Sequence, residues 1–324
     1  MTGATGMIGR SLVNRLLAED VSVRILARPS SDVRYLRTLP VDVIRGEAED
    51  QEALRRSARG CHSVFHVAGL IRPEYVFDRG HDFSPLLRAN VYLTEAILEA
   101  SAQEGVTRFF YVSSTSVYGI GAAVPISEHA PTNPCSDYGV SKVMAEQRVK
   151  VYQEQGLATT IIRPSIVYGP HDRHLIRLAD SLARLPIMPM IDGGHSLQDL
   201  VFVGDVVELI WQASQTDVAI NKVYNAGSDA PLSLREMLLT MRAYIGKPTH
   251  AFSISSKLLL RAAFLAKGSL KYFAPGLETI LTPVGLAYLS GDLYYDVSLA
   301  RQELNFYPKV DFKRGLKFIF DPPP

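Results

Sequence analysis

Short apolar runs alternate along the first half of the chain with longer stretches whose apolar residues recur every three or four positions. Runs at 21–27, 41–45, 63–68, 108–113 and 159–163 are rich in Val, Ile and Phe and predict strands. The amphipathic stretches at 8–18, 51–59, 86–103 and 138–155 predict helices between them. A strand followed each time by a helix predicts an α/β fold with a doubly wound parallel sheet, covered on both faces. Beyond Gly169 the pattern turns irregular, with proline-rich turns and single helices. The stretch 200–214 reads as a strand and helix returning to the main sheet. No internal repeat and no low-complexity linker interrupts the chain.

The beginning breaks the pattern. Met1-Thr2-Gly3 opens directly on a glycine turn, where a doubly wound sheet has usually used about five residues on its central first strand. The first strand is therefore expected to be truncated. A natural start upstream is the favoured explanation, because a missing central strand exposes two strand edges.

Composition narrows the class. The chain has 324 residues, 47% hydrophobic and 21% charged, the profile of a globular protein. A formal net charge of +1 gives no electrostatic case for a nucleic-acid partner. Cys61 and Cys135 have no metal-ligand spacing, form no disulfide framework and fit a reducing, cytoplasmic setting. The most apolar late stretch, 258–270, is interrupted by Arg261 and Lys267, so no integral membrane segment is expected. His171, His174 and His195 lack the companions of a metal site, and none is expected.

Gly3-Ala4-Thr5-Gly6-Met7-Ile8-Gly9 precedes a helix whose apolar face includes Leu12, Leu16 and Leu17. Glycines at this spacing allow a tight turn, close approach to a pyrophosphate and close helix packing, while the helix N-terminus supplies amides. In this strand–helix context they predict a dinucleotide site at Gly3, Thr5, Gly6, Met7, Ile8 and Gly9. Residues 1–168, joined by 200–214, are then the dinucleotide-binding Rossmann domain, and 169–324 mainly the substrate-binding region. The second strand ends in Ala27-Arg28-Pro29-Ser30-Ser31 with no carboxylate for a ribose 2′-hydroxyl. Arg28, with Ser31 close behind, suits a 2′-phosphate instead, which puts NADP ahead of NAD.

Tyr138 and Lys142 stand four apart at the start of a helical stretch and share a face. A fixed cation favours a phenolate whose unperturbed pKa is about 10, and a tuned phenol exchanges protons with a hydroxyl or carbonyl. The strand 108–113 runs into Ser113-Ser114-Thr115-Ser116-Val117-Tyr118-Gly119, which places hydroxyls at a strand's C-terminal end, the edge where open α/β sheets bind ligands.

With the glycine turn, His66-Val67-Ala68-Gly69, Asn90, this serine run, the Tyr-Lys pair and Arg163-Pro164-Ser165-Ile166-Val167-Tyr168-Gly169-Pro170, the chain resembles an extended short-chain dehydrogenase/reductase of the epimerase/dehydratase branch over nearly its whole length. The resemblance implies that Ser114 polarises the reacting oxygen and Tyr138 is the acid/base. Lys142 binds the nicotinamide ribose and lowers the phenol's pKa. Glu47 and Ala48 flank the adenine, Ala68 and Gly69 run along the cofactor, and Asn90 supports the active-site helix. Pro164, Ile166 and Val167 meet the nicotinamide carboxamide. It also implies a homodimer formed through 86–103 and 138–155.

Departures from the branch bear on the reaction. Sugar-nucleotide dehydratases carry Asp and Glu where this chain has Thr115 and Ser116. Epimerases of the branch place diphosphate contacts where this chain has Ile166 and Gln198, and a lost guanidinium is not a conservative change. What remains is similar to dihydroflavonol-reductase-like and 3β-hydroxysteroid-dehydrogenase-like members. That implies ketone–alcohol redox on a moderately apolar small molecule, with sugar epimerisation second and a non-catalytic NADP-binding regulator third. Ile187, Met188, Met190, Phe252, 258–260, Phe264 and Phe273 would suit an apolar substrate cover, although most of them equally suit a core. Arg173 is the charge expected to border the pocket.

Overall fold

Five expected strands form within two residues of their bounds: β1 (Val23–Ala27), β2 (Val41–Arg45), β3 (Ser63–His66), β4 (Arg108–Val112) and β5 (Ala158–Pro164). The structure is a computed structural model and describes residues 1–265 and 281–321. A further strand, β6 (Lys222–Ala226), extends the sheet beyond β5. Every pairing is parallel, in the order β2–β1 and β3–β4–β5–β6.

Met1 and Thr2 occupy the gap between β1 and β3. Thr2 bridges in parallel to Leu26 on one side and His66 on the other. Leu26 N donates to Met1 O at 2.9 Å, and Thr2 N donates to Phe65 O at 3.0 Å. The truncated first strand is thus a two-residue wedge, which gives both neighbouring edges a partner at that level.

β4 shows why the sheet is buried on both faces. Phe109 and Tyr111 point into one core with Leu54, Ile97, Leu98, Ala145 and Val149. Phe110 and Val112 point the other way, against Leu12, Leu16, Val206 and Ile210. Helices α1 (Met7–Leu17), α2 (Gln51–Ala58), α3 (Leu93–Gln103), α4 (Asp137–Glu154) and α5 (Val203–Ser214) supply these layers. Full burial of such an aromatic or aliphatic side chain stabilises by roughly 1.5–3 kcal/mol, so two-sided strands dominate the fold's stability.

Two expectations change here. The stretch 86–103 is not one α-helix: Leu87–Tyr92 takes a π-type turn before α3, and Asn90 is buried inside it. Such widenings relax the helical ladder and commonly occur at functional sites. The strand read at the start of 200–214 does not rejoin the main sheet, because Leu200–Phe202 pairs with Ile166–Tyr168. The joining strand is β6, whose Asn225 hides its role in the sequence. That buried amide takes the Tyr118 hydroxyl at 2.7 Å and donates to Ile126 O at 3.0 Å.

Two glycines of the turn, Gly3 and Gly9, leave no room for a side chain. Gly3 has φ +75°, and a Cβ there would lie 2.5 Å from Ala68 N. A Cβ on Gly9 would lie 2.0 Å from Gly3 O, so α1 packs directly on the turn that precedes it. Gly9→Ala is therefore expected to cost about 2 kcal/mol or more through overpacking. Urea unfolding measures this, and an unchanged midpoint and slope would contradict the packing.

Candidate active site

The C-terminal ends of the strands deliver the site. β1 leads into Arg28, β3 into Ala68 and Gly69, β4 into Ser114, and β5 into the turn Pro164–Val167. Arg28, Gly6, Glu47, Gly69 and Ile166 are exposed along this edge, while Thr5, Met7, Ile8, Ser31, Ala48 and Val167 are half-buried. These residues, with the side-chain-free cradle at Gly3 and Gly9, fit a dinucleotide lying across the edge.

α4 opens with Ser136, whose hydroxyl accepts from Gly139 N at 3.2 Å. Tyr138 and Lys142 follow on the buried face, 8% and 3% exposed. The Lys142 ammonium donates to Val112 O at 2.8 Å and sits 4.6 Å from the Tyr111 ring centroid. Burial pushes the Tyr138 phenol up to about 12, and the Ser114 hydroxyl opposes that shift. Burial also brings Lys142 down to about 7, against the pull of Glu146. The lowered phenol expected from the Lys142 cation is thus absent in this structure: desolvation governs Tyr138, and the Lys142 ammonium donates to Val112 O. Ser114 is half-buried, and its Oγ accepts from Ser116 N and donates to Ser116 Oγ, both at 3.2 Å.

The Asn90 side chain holds protein partners on both sides. Its Oδ1 accepts from Leu70 N at 2.6 Å, and its Nδ2 donates to Leu70 O at 3.1 Å and Ser141 Oγ at 2.9 Å. Ser141 Oγ donates in turn to Tyr138 O at 2.7 Å. With both amide protons used, Asn90 ties the loop after β3 to the start of α4.

The turn after β5 is held from behind. Ser165 N donates to Ala226 O at 2.9 Å, and Ile166 N to Asp199 O at 3.2 Å. Asp199 Oδ1 accepts from Ser228 N at 2.7 Å and Ser165 Oγ at 3.3 Å, while its Oδ2 has no partner among the described residues. Burial raises this carboxyl from 3.8 to about 6.

Sequence reasoning missed Asp199 and two arginines at the other end. Arg45 donates to Arg28 O at 2.6 Å and Ser31 O at 3.0 Å, bracing that loop. Arg10 stacks 4.8 Å from the Tyr35 centroid, and its buried Nε lacks a partner among the described residues. The helical position of Arg10 right after the glycine turn was the available signal.

On the substrate side, Ile166 is 53% exposed. Gln198 is buried, and its Nε2 donates to Tyr288 O at 3.2 Å and Gly291 O at 3.1 Å. Thr115 is buried and Ser116 half-buried. Met188 and Met190 are buried in a C-terminal core with Leu175, Leu238 and Leu316. Ile187, Phe252 and Leu258 are exposed. Arg173 begins the helix Arg173–Arg184, and the Arg173 and Phe264 side chains, with all of Phe273, lie outside the described residues. His171, His174 and His195 are exposed. Among the described residues no helix is long and apolar enough to cross a membrane.

Residues 1–227 match the sequence model of the NAD dependent epimerase/dehydratase family. The chain is 27% identical over 319 residues to the 4-hydroxy-2-methyl-3-oxo-4-farnesyl-3,4-dihydroquinoline-1-oxide ketoreductase of Stigmatella aurantiaca, covering 98% of this chain and 93% of that protein. It is 26% identical over 332 residues to the 2-alkyl-3-oxoalkanoate reductase of Stenotrophomonas maltophilia, covering 98% and 96%. Its fold is similar to the crystal structure of UDP-glucuronic acid 4-epimerase from Bacillus cereus in complex with UDP-glucuronic acid and NAD, with a TM-score of 0.79 and 22% identity over 99% of this chain and 97% of that one.

Asp199 makes a measurable pH signature. Because folding raises its pKa from 3.8 to about 6, the folded chain binds more protons than the unfolded chain in that window. Its contribution to stability is therefore present below the unfolded value and lost as pH rises through about 6, by at most about 3 kcal/mol. Asp199→Asn should flatten that slope in denaturant titrations between pH 4 and 7, and equal slopes in both proteins would refute the assignment.

Proposed function

We propose that this chain, which belongs to the NAD dependent epimerase/dehydratase family and so to the NAD(P)-dependent extended short-chain dehydrogenases/reductases, interconverts a ketone and a secondary alcohol on a moderately apolar small molecule. One observation carries the choice. At two places where nucleotide-sugar enzymes of the branch contact a diphosphate, this chain presents an exposed isoleucine, Ile166, and a glutamine, Gln198, whose amide already holds Tyr288 O and Gly291 O. An apolar surface and a used donor pair favour an apolar substrate over a doubly charged one. The ketoreductase and oxoalkanoate reductase relatives support the same reading.

The nicotinamide cofactor supplies the hydride, or takes it in the reverse direction. Ser114 and Tyr138 hold the carbonyl oxygen, and Tyr138 donates the proton as the alcohol forms. Its burial keeps it protonated at neutral pH, which suits a donor. Lys142 sits one turn along the same helix and stabilises the phenolate that remains until solvent returns a proton. Residues 1–168 with 200–214 hold the cofactor, and 169–324 mainly hold the substrate. Arg28, braced by Arg45 and followed by Ser31, supports NADP over NAD. Retention of Ser114, Tyr138 and Lys142 at one strand edge weighs against a non-catalytic cofactor-binding regulator.

Purified protein should oxidise NADPH in the presence of an apolar ketone, with a lower KM for NADPH than for NADH. Tyr138→Phe should keep cofactor binding and lose about 10²- to 10⁴-fold in turnover. Conversion of a sugar nucleotide with no net cofactor change would replace this reading with epimerisation. A homodimer through 86–103 and 138–155, whose exposed surface includes Tyr92 and Val151, is part of the same proposal. Light scattering at the mass of one chain would remove it.

A further inference from the structure

Three pieces of the site meet on one buried carboxylate. Glu146 continues the Tyr138–Lys142 face of α4 by one more turn and is 3% exposed. Its Oε1 accepts from Ser113 Oγ at 2.6 Å and Arg163 Nε at 2.9 Å, and its Oε2 accepts from Arg163 Nη2 at 2.6 Å. Ser113 immediately precedes Ser114, and Arg163 immediately precedes Pro164. Arg163 Nη1 also donates to the Tyr118 hydroxyl at 2.8 Å.

We propose that Glu146 is a positioning residue for the reaction, setting α4 against the ends of β4 and β5 so that Tyr138 and Lys142 meet Ser114 and the Pro164 turn in register. This rests on the catalytic roles assigned to those residues above. Sheet bonds already hold β4 to β5. The apolar contacts of Ala145 and Val149 hold α4 to the sheet without fixing its slide or rotation. Directional ties between α4 and these strand ends come from Lys142 on Val112 O and from Glu146 on Ser113 and Arg163. Stability alone is a weak reason for such a pair, since apolar residues of similar volume often replace a buried ion pair without loss.

Charge supports the geometry. Arg163 faces Glu146 from β5 and Lys142 lies one turn back on its own helix, while the phenols of Tyr111 on β4 and Tyr118 beyond it also sense the carboxylate. Glu146 favours the Lys142 ammonium. Removing that charge makes Lys142 lose its proton at lower pH.

The test compares Glu146→Gln with the double variant Glu146→Leu/Arg163→Met. The single variant leaves a buried guanidinium poorly paired and should melt earlier, and the neutral pair should recover most of that loss. Both should lower kcat on the order of a hundredfold, since misplacement by about 1 Å is enough for such a loss. Cofactor affinity, read by fluorescence titration, should change far less. In the Gln variant the alkaline limb of the kcat profile should move to lower pH. A double variant with wild-type melting and wild-type kcat overturns the proposal. If the double variant does not fold, the Gln variant decides: an unmoved pH profile with unchanged kcat overturns it equally. All rates are ratios to wild type, so they read the same for ketone reduction or epimerisation. A wild type active only on sugar nucleotides overturns the functional reading and not this one.

Discussion

The central hydrogen bonds of Met1 and Thr2 carry the rest of the site. A parallel sheet buried on both faces cannot leave backbone groups unpaired at its middle, and these two residues join β1 to β3 there. The Thr2 hydroxyl then lies 2.7 Å from His66 Nδ1, and His66 Nε2 lies 2.8 Å from the Thr94 hydroxyl. Thr94 donates to Asn90 O at 2.6 Å. Asn90's side chain holds Leu70 and Ser141, which places the start of α4. One chain of polar contacts thus runs from the sheet's centre to the backbone of Tyr138. Burial holds His66 near 3, so the imidazole is neutral and offers one donor and one acceptor to its two hydroxyl partners.

Burial, more than pairing, sets the protonation of the titratable groups around this edge. It raises Tyr138 and Asp199 and lowers Lys142 and His66, each time toward the neutral form. Glu146 and Arg163 are the contrast. Their side chains, 4% exposed, meet in a fork-to-fork contact with Ser113 and Tyr118 at its ends.

Much of this was legible beforehand. The strands and α1, α2 and α4 announced themselves because periodicity reports burial directly, and the glycine spacing reports a turn that no Cβ tolerates. β6 was not legible, because Asn225 breaks its apolar pattern and its amide is satisfied by Tyr118, Ile126 and Asp296, far away in the chain. The π-type turn at Asn90 was hidden for a related reason, since the partners of its amide, Leu70 and Ser141, lie far from it in the chain. The cover residues divided by which way a strand faces: Met190 points inward while Ile187 stands exposed.

By itself, the sequence determined the class of fold, and it singled out the glycine turn, Ser114, Tyr138 and Lys142 as the candidate site. Those depend on local spacing: strand period, helical i,i+4 neighbours and glycines within one turn. Tertiary structure alone decided what surrounds them. It placed Arg163 on Glu146, Asp199 behind the Ser165 turn, and Gln198 on the carbonyls of Tyr288 and Gly291. It also reversed the expected shift of the Tyr138 phenol, because desolvation depends on packing from every side and no local motif encodes it.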